Sequence, residues 1–460
     1  MKKISLLVLF IITIFIFGCS EIDVVSPTFN ALKESVTMTE GDSLDLVEVF
    51  GITVTDNVDE FLTINTNIEN TSLLDLGIYL VEFTAEDHRG NQAIIQTTLI
   101  VENSELGFTL ESQMGDSEDS FNIILEPVIV NQRALILYQD LLTPTFSSNW
   151  QDSQVHLLIY DTLSASMRTI NITEPQYRAL PIGIYAEEGG YNLFVNILES
   201  VDDSYKVWVY HYDSSLEFLY RSELSAGEAK LSKVVTNSEG DFAIVYETKI
   251  EFYNKDEEFL CDVEKDASYL VEDTVAVGNT FIFVGTHENT SSANGFILSH
   301  NPSTEAFYLI EDTECNVQNI YYEQVTDANG KLYITAWFED AESAYSAVIE
   351  LSYEGEYITE HTYMPTDIFT LFSLFESPIG LGPYVSAFNQ DSKNTLYMFG
   401  NGLHTENRID FVLFDSMFPK VFFQIENQYF VLVIDDSLRL HSNDDIAFPK
   451  TMSVIKINIK

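Results

Sequence analysis

Aromatic and acidic residues stand close together at three points of the chain, and this combination suits the binding of sugars. Aromatic faces stack on sugar rings, while carboxylates accept hydrogen bonds from sugar hydroxyls. The same carboxylates suit Ca²⁺, a hard cation that takes roughly six to eight oxygen ligands. The candidate ligand-binding residues are Trp150, Asp152, Asp202, Asp203, Tyr205, Trp337, Glu339 and Asp340. For each of them, a solvated surface that binds nothing is the alternative.

Signatures of a catalytic centre are missing from the sequence. It contains no H-E-x-x-H, C-x-x-C, G-x-x-x-x-G-K-[ST] or G-x-S-x-G motif, and its eight histidines are scattered singly. We therefore assign no catalytic residue and no metal ligand, and we expect a protein that is not an enzyme. Paired carboxylates for glycoside chemistry stay open, because their separation in space cannot be read from a sequence.

The elements that position the candidate residues are strands that recur with a regular spacing. The second strands of successive hairpins begin near His156, Val207, Lys249, Gly295, Ser346, Thr395 and Met452, at steps of 51, 42, 46, 51, 49 and 57 residues. A period near 50 with about four strands is typical of a β-propeller blade. We predict a seven-bladed propeller over residues 106–460, with tandem β-sandwiches as the alternative.

Two consequences of a propeller concern the candidate residues and the ends of the ring. The loops between the second and third strands share one face, and loops on a rigid frame often carry binding residues. The last blade reaches the end of the chain after three strands, so we expect Leu106–Met114 to supply its outer strand. That pairing would remove the two open sheet edges.

The preceding segment, residues 27–103, has strand-like alternation that ends in a hairpin. Tyr79, Val81, Phe83 and Ala85 recur at period two, and Asp87–Asn91 fits a turn with Gly90 at positive φ. The segment resembles the Ig-like domains of bacterial surface proteins in Gly77, Tyr79, Val81, Phe83, Ala85, Asp87, Gly90 and Asn91, and in Thr53, Thr55, Asp56 and Asn57. The resemblance implies a β-sandwich that serves as a spacer or adhesion module.

The first residues read as an export signal. Lys2 and Lys3 precede the apolar run Ile4–Phe17, whose length of about 21 Å is short of the ~30 Å bilayer core. Ile16-Phe17-Gly18-Cys19 resembles a bacterial lipobox, with Phe17 larger than the family's usual residue. The resemblance implies removal of residues 1–18, lipidation of Cys19 and a tether over residues 19–26. A secretory signal with an incidental cysteine is the alternative.

The charge of the chain excludes one class of partner. It carries 72 acidic and 22 basic residues, a formal net charge of −50, so the phosphates of nucleic acids would be repelled. A hydrophobic content of 46% is ample for packed cores, and the acids therefore belong to the surface. Cys261 and Cys315 remain after Cys19, either as a disulfide or as two buried thiols.

Together these features predict an all-β lipoprotein that faces the outside of the cell, at its surface or in the periplasm. Acylated Cys19 would hold it to a lipid bilayer, and one face of the propeller would bind an extracellular glycan or protein without catalysis. A polysaccharide hydrolase or lyase and an envelope-assembly scaffold are the alternative functions. We expect no cofactor, with Ca²⁺ as an option. The ligand, the oligomeric state and the membrane involved stay open.

Overall fold

The computed structural model describes most of the chain and divides it into two compact units, Met1–Asn103 and Ser104–Lys460. The described residues are 25–59, 61–103, 106–114, 121–141, 153–174, 177–187, 189–198, 205–227, 233–288, 292–311, 319–328, 330–339, 344–353, 357–363, 370–376, 383–388, 394–400, 405–413, 417–426, 428–435 and 452–459. The predicted signal peptide and Cys19 lie outside them. No helix in these ranges is long and apolar enough to span a bilayer.

The first unit consists mainly of strands. Its four-stranded sheet has the order Ile64–Thr66, Gly77–Glu86, Gln92–Glu102, Ser35–Thr39. A separate ladder pairs Thr28–Asn30 with Thr53–Thr55. The helices of the unit are a short α-helix, Leu46–Phe50, and a 3-10 turn, Thr71–Leu73. The sheet pairs antiparallel except at Ser35–Thr39, which runs parallel to Gln92–Glu102.

The hairpin expected in this unit is present. Tyr79, Val81, Phe83 and Ala85 are all buried, because alternate residues of a strand face one side of its sheet. In the turn, Asp87 Oδ1 accepts hydrogen bonds from the backbone N–H groups of Arg89 and Asn91. Gly90 has φ of 87°, a left-handed conformation that glycine adopts without a steric penalty.

The second unit consists of antiparallel blades, each with strands one to four from the inside outward. Blade 1 comprises Phe121–Ile124 and Val128–Val130 (together strand one), Arg133–Leu141, Ser153–Asp161 and Ser166–Asn171. Blade 2 comprises Arg178–Glu187, Gly190–Leu198, Tyr205–Asp213 and Phe218–Gly227. Blade 3 comprises Lys233–Thr236, Phe242–Val245, Lys249–Tyr253 and Phe259–Glu264. Blade 4 comprises Tyr269–Val277, Thr280–Glu288, Ala293–Asn301 and Ala306–Glu311.

Three further blades complete the seven found among the described residues. Blade 5 comprises Asn319–Ala328, Lys331–Glu339, Ala344–Leu351 and Tyr357–Tyr363. Blade 6 comprises Thr370–Glu376, Pro383–Phe388, Asn394–Gly400 and Thr405–Leu413. Blade 7 comprises Met417–Ile425, Gln428–Asp435, Met452–Ile459 and, as strand four, Leu106–Met114. The pairing of Leu106–Met114 with Met452–Ile459 is the ring closure expected from the sequence.

Contacts between neighbouring blades join them into a ring. Buried apolar clusters link blade 1 with blade 2, blade 2 with blade 3, blade 3 with blade 4, and blade 4 with blade 5. The innermost strands of blades 5, 6 and 7 contact one another in order. A further cluster joins blade 7 to blade 1 through Phe423, Phe430 and Tyr160. The unit is therefore a closed β-propeller.

Candidate functional site

The innermost strands of six of the seven described blades are irregular at one common level, and that of blade 3 is regular. Their pairing with the second strand skips one residue in each of five blades, which is the signature of a β-bulge. The skipped residues are Ile182, Glu272, Glu323, Phe372 and Lys420. In blade 1 the innermost strand is divided in two, and Glu126 and Pro127 lie in the gap.

Two of the bulge residues are acids that solvent reaches. Glu272 and Glu323 are exposed, although both are flanked by strand residues that pack between blades. Glu126 of blade 1 is also exposed, yet its carboxyl group interacts electrostatically with Asp273 in blade 4 and Lys233 in blade 3. Such interactions between distant blades can only run across the ring. We therefore place these groups at the central channel, open to water but enclosed by protein.

The channel groups form what we call the axial acidic cluster: Glu126, Lys233, Glu272, Asp273 and Glu323. Lys233 Nζ lies 3.2 Å from Asp273 Oδ1 and also donates a hydrogen bond to the backbone carbonyl of Glu272. The other oxygen of Asp273, Oδ2, accepts the backbone N–H of Val325 at 2.9 Å. Asp273 thus links blades 3, 4 and 5. The cluster combines four carboxyl groups with one ammonium group.

Proton binding in the cluster differs from that of ordinary carboxylates. Enclosure by protein, and secondarily the charge of Asp273, raise the pKa of Glu126 to about 7, while Lys233 opposes the shift. Partial desolvation by the surrounding protein also raises the pKa of Glu272, again against the effect of Lys233. Partial desolvation and the charge of Glu272 raise the pKa of Glu323. Near neutral pH, Glu126 is therefore present in both its protonated and its ionised form.

This mixture of protonation states determines what the cluster can do chemically. Ionised carboxylates accept hydrogen bonds and attract cations, whereas a protonated carboxyl also donates a hydrogen bond. A ligand group with several hydroxyls, or with a positive charge, meets both requirements. A phosphate or another anion would be repelled by the excess of carboxylates.

The structure describes three of the residues that were predicted from the sequence. Tyr205 begins the third strand of blade 2 and is half-buried, while Trp337 and exposed Glu339 end the second strand of blade 5. Trp337 pairs with Tyr321, two residues before the bulge at Glu323. The others, which stay predictions outside the described residues, are Trp150, Asp152, Asp202, Asp203 and Asp340.

Sequence reasoning missed the axial acidic cluster. The signal was the presence of acids inside otherwise apolar innermost strands, in YLVEDTVAV from Tyr269 and in NIYYEQVTDA from Asn319. A charged residue in the middle of such a strand is expensive unless water reaches it. In a propeller, the central channel is where water reaches an innermost strand.

The first unit contains a separate group of acids that could hold a metal ion. One carboxylate oxygen each from Asp56, Asp59 and Asp87 lies within 4.8 Å of the others. Asp56 Oδ2 is buried and has no hydrogen-bond partner among the described residues. His88 Nδ1 lies 2.6 Å from Asp59 Oδ2. Oxygen ligands in this number fit part of a Ca²⁺ shell.

The sequence did not decide whether Cys261 and Cys315 form a disulfide. Cys261 is a free thiol, and its Sγ lies 3.6 Å from His300 Nε2. Burial raises the pKa of this thiol, which opposes formation of a reactive thiolate. Cys315 lies outside the described residues.

Comparisons with known proteins give similarity of fold. No family model and no curated protein matches the sequence. Among solved structures, the chain is similar to the Pan2 WD40 domain of Neurospora crassa, with 8% identity, a TM-score of 0.47, and coverage of 76% of this chain and 95% of that one. It is also similar to the β-propeller domain of the Trilobed protease from Pyrococcus furiosus, with 12% identity, a TM-score of 0.43, and coverage of 68% and 90%.

A third similar structure is an endosialidase from phage phi92, with 8% identity, a TM-score of 0.47, and coverage of 80% of this chain and 71% of that chain. All three sequence identities are far too low for the activity of one protein to be inferred from that of the other. The assignment of this chain as an all-β protein with a β-propeller follows from its strand register and the closure of its ring.

Proposed function

We propose that this protein is a surface lipoprotein that binds an extracellular glycan or protein without catalysis, through the channel face of its propeller. The observation that carries the proposal is the axial acidic cluster, which combines the carboxyl groups of Glu126, Glu272, Asp273 and Glu323 with the ammonium group of Lys233. The preferred ligand presents hydroxyl or cationic groups, because these satisfy carboxylates that are partly protonated and carry a negative charge overall.

The remaining parts of the proposal concern attachment to the cell. Cys19 in Ile16-Phe17-Gly18-Cys19 would carry the lipid, and more than one acyl chain is needed for a stable anchor. The unit before the propeller would act as an Ig-like spacer. The buried face and the Asp87 turn of its hairpin support this assignment. A net charge of −50 would also keep the body away from anionic lipid.

A binding screen tests the ligand. The soluble body from Ser20 is applied to a glycan array and used to pull down envelope proteins. The doubly substituted Glu272→Gln/Glu323→Gln form is run in parallel. Glu217→Gln/Glu239→Gln, which changes two exposed acids in turns of blades 2 and 3, is the matched control. We expect the control to keep the wild-type hits and the axial variant to lose them. Hits that the axial variant retains would contradict the proposal.

A second candidate function is cleavage of a polysaccharide, as a hydrolase or as a lyase. The observation in its favour is Glu126, because a carboxyl whose pKa lies near 7 is suited to general acid catalysis. Incubating each array hit with the protein, followed by analysis of chain length, separates the two functions. Cleavage that Glu126→Gln abolishes would favour the enzyme. Binding without cleavage would favour recognition.

The anchor has its own test. Metabolic labelling with palmitate in a bacterial host is compared between the wild type and Cys19→Ser. We expect the label and the membrane fraction to be lost together in the variant. Label that survives the substitution would show that the tether is not at Cys19.

A further inference from the structure

The two faces of blade 4 are built from different side chains. Because successive strand residues alternate, one face carries Phe281, Phe283, Phe296 and Leu298, which pack against blade 3 around Phe252. The opposite face also has buried Ile282 and Ile297, which pack against blade 5. Further out on that face, Ser299 and Ala306 are small, although Tyr308 is large. The small side chains leave the outer part of the space toward blade 5 incompletely filled.

The register defines this gap. Ile282 is paired with Ser299, and Ser299 with Tyr308, so the three form one row across the blade. The next row contains Asn301, which is paired with Ala306. These rows bound a cavity of about 430 Å³, which Tyr353 of blade 5 lines from the other side. This volume is within the range of roughly 300–1,000 Å³ that is typical of small-molecule sites.

The walls of the cavity are ordered and uncharged. None of the eleven described residues that line it is charged, in a chain with a net charge of −50. Asn301 is held in place, because its Nδ2 donates to Thr280 Oγ1 and its Oδ1 accepts from Ser303 N–H. Tyr353 is fixed by a hydrogen bond from its hydroxyl to Asp327 Oδ1 at 2.5 Å. Tyr308 is 65% exposed at the rim.

We propose that this cavity is a second binding site, separate from the channel, and that it takes a neutral small molecule with an apolar ring. The floor of Ile282 and Ile297 favours an apolar body, and the tyrosines offer faces for stacking. A charged ligand would lose its hydration without finding an opposite charge in the lining. The apolar area of Tyr308 that is now open to water would be covered on binding.

Three indole compounds test both the site and its preference for neutral ligands. Indole is neutral, indole-3-acetate is an anion and tryptamine is a cation at pH 7. Binding to the mature chain that carries Cys19→Ser is followed by saturation-transfer NMR and by titration. We expect indole to bind with a dissociation constant on the order of 1 mM, as its size allows, and both charged analogues to bind at least about tenfold more weakly.

Variants locate the binding. Ser299→Leu fills the cavity and should weaken indole binding at least tenfold, and Tyr308→Ala should weaken it by about threefold. Tyr220→Ala is the matched control, since Tyr220 is 56% exposed on the outer strand of blade 2; it should leave binding unchanged. Circular dichroism checks folding, and Tyr308→Ala decides the outcome if Ser299→Leu does not fold. No binding of indole, equal binding of the three compounds, or wild-type affinity in folded Ser299→Leu and Tyr308→Ala would overturn the proposal.

Discussion

The middle strands and the innermost strands of the propeller differ in both composition and regularity. Leu135, Leu137, Val155 and Leu157, in the second and third strands of blade 1, are completely buried, and their pairing has no interruption. Six of the seven described innermost strands are bulged or divided at one level, and three of them carry an acid there, as blade 4 does at Glu272. Both kinds of strand come from the same repeat, so the difference reflects position in the ring.

The difference indicates a division of roles. A middle strand has a neighbouring blade on each face, and its apolar side chains can be buried on both sides. An innermost strand borders the channel, and in blades 4 and 5 the bulge residues, Glu272 and Glu323, are exposed rather than packed between blades. The middle strands therefore supply most of the stability. The innermost strands can carry charged groups, which lower the stability, because the packing of the middle strands offsets that loss.

The largest effect is expected from a change in a middle strand. Phe252, in the third strand of blade 3, is completely buried against Phe281 and Phe283. Phe252→Ala should lower the free energy of unfolding by about 3–5 kcal/mol, because it leaves a cavity in an ordered cluster. Urea unfolding measures the loss. Phe259→Ala, on the outer strand of the same blade where Phe259 is 54% exposed, is the control and should cost less than about 1 kcal/mol.

A smaller effect is expected from the ammonium group of the axial acidic cluster. Lys233→Met removes the partner of Asp273, but the lysine side chain is 42% exposed, and exposed pairs contribute little. The expected loss is about 1 kcal/mol in the free energy of unfolding. Lys206→Met, which breaks a 3.6 Å contact with Glu223, should cost less and serves as control. A loss as large as that of Phe252→Ala would remove the distinction between the two kinds of strand.

A third expected effect is a dependence of stability on pH. The folded protein raises the pKa of Glu126 from an ordinary 4.5 to about 7, so the unfolded chain loses this proton first. The free energy of unfolding should therefore fall as the pH rises from 4.5 to about 7, and this contribution should then level off. In Glu126→Gln that fall should be absent, so the difference between the wild-type and variant profiles should show it. The control Glu239→Gln should keep the wild-type profile.

The regular parts of the fold could be predicted from the sequence, whereas the channel could not. The recurring apolar runs HLLIYD and VWVYHYD placed strands within three residues of the starts of Ser153–Asp161 and Tyr205–Asp213. The closing strand Leu106–Met114 followed from the incomplete last repeat. A bulge, by contrast, is a mismatch between two strands, so Glu272 and Glu323 could be recognised only once their partners were known.

A second reason why the site could not be predicted fully is that it depends on contacts between residues far apart in the chain. Tyr205, Trp337 and Glu339 lie at or near the ends of strands, and their part in ligand binding stays a prediction. Contacts across the ring, such as that between Glu126 and Asp273, join residues that are far apart in the chain. Periodicity along the sequence carries no information on such contacts.

The most direct test is a calorimetric titration of the strongest glycan or protein hit from the screen at pH 7. The wild type, Glu272→Gln/Glu323→Gln and Glu217→Gln/Glu239→Gln are compared, each with its urea unfolding midpoint. We predict that the axial variant binds at least about tenfold more weakly while its unfolding midpoint does not fall, because it removes repulsion rather than packing. Equal affinity of the axial variant and the control variant would contradict the account.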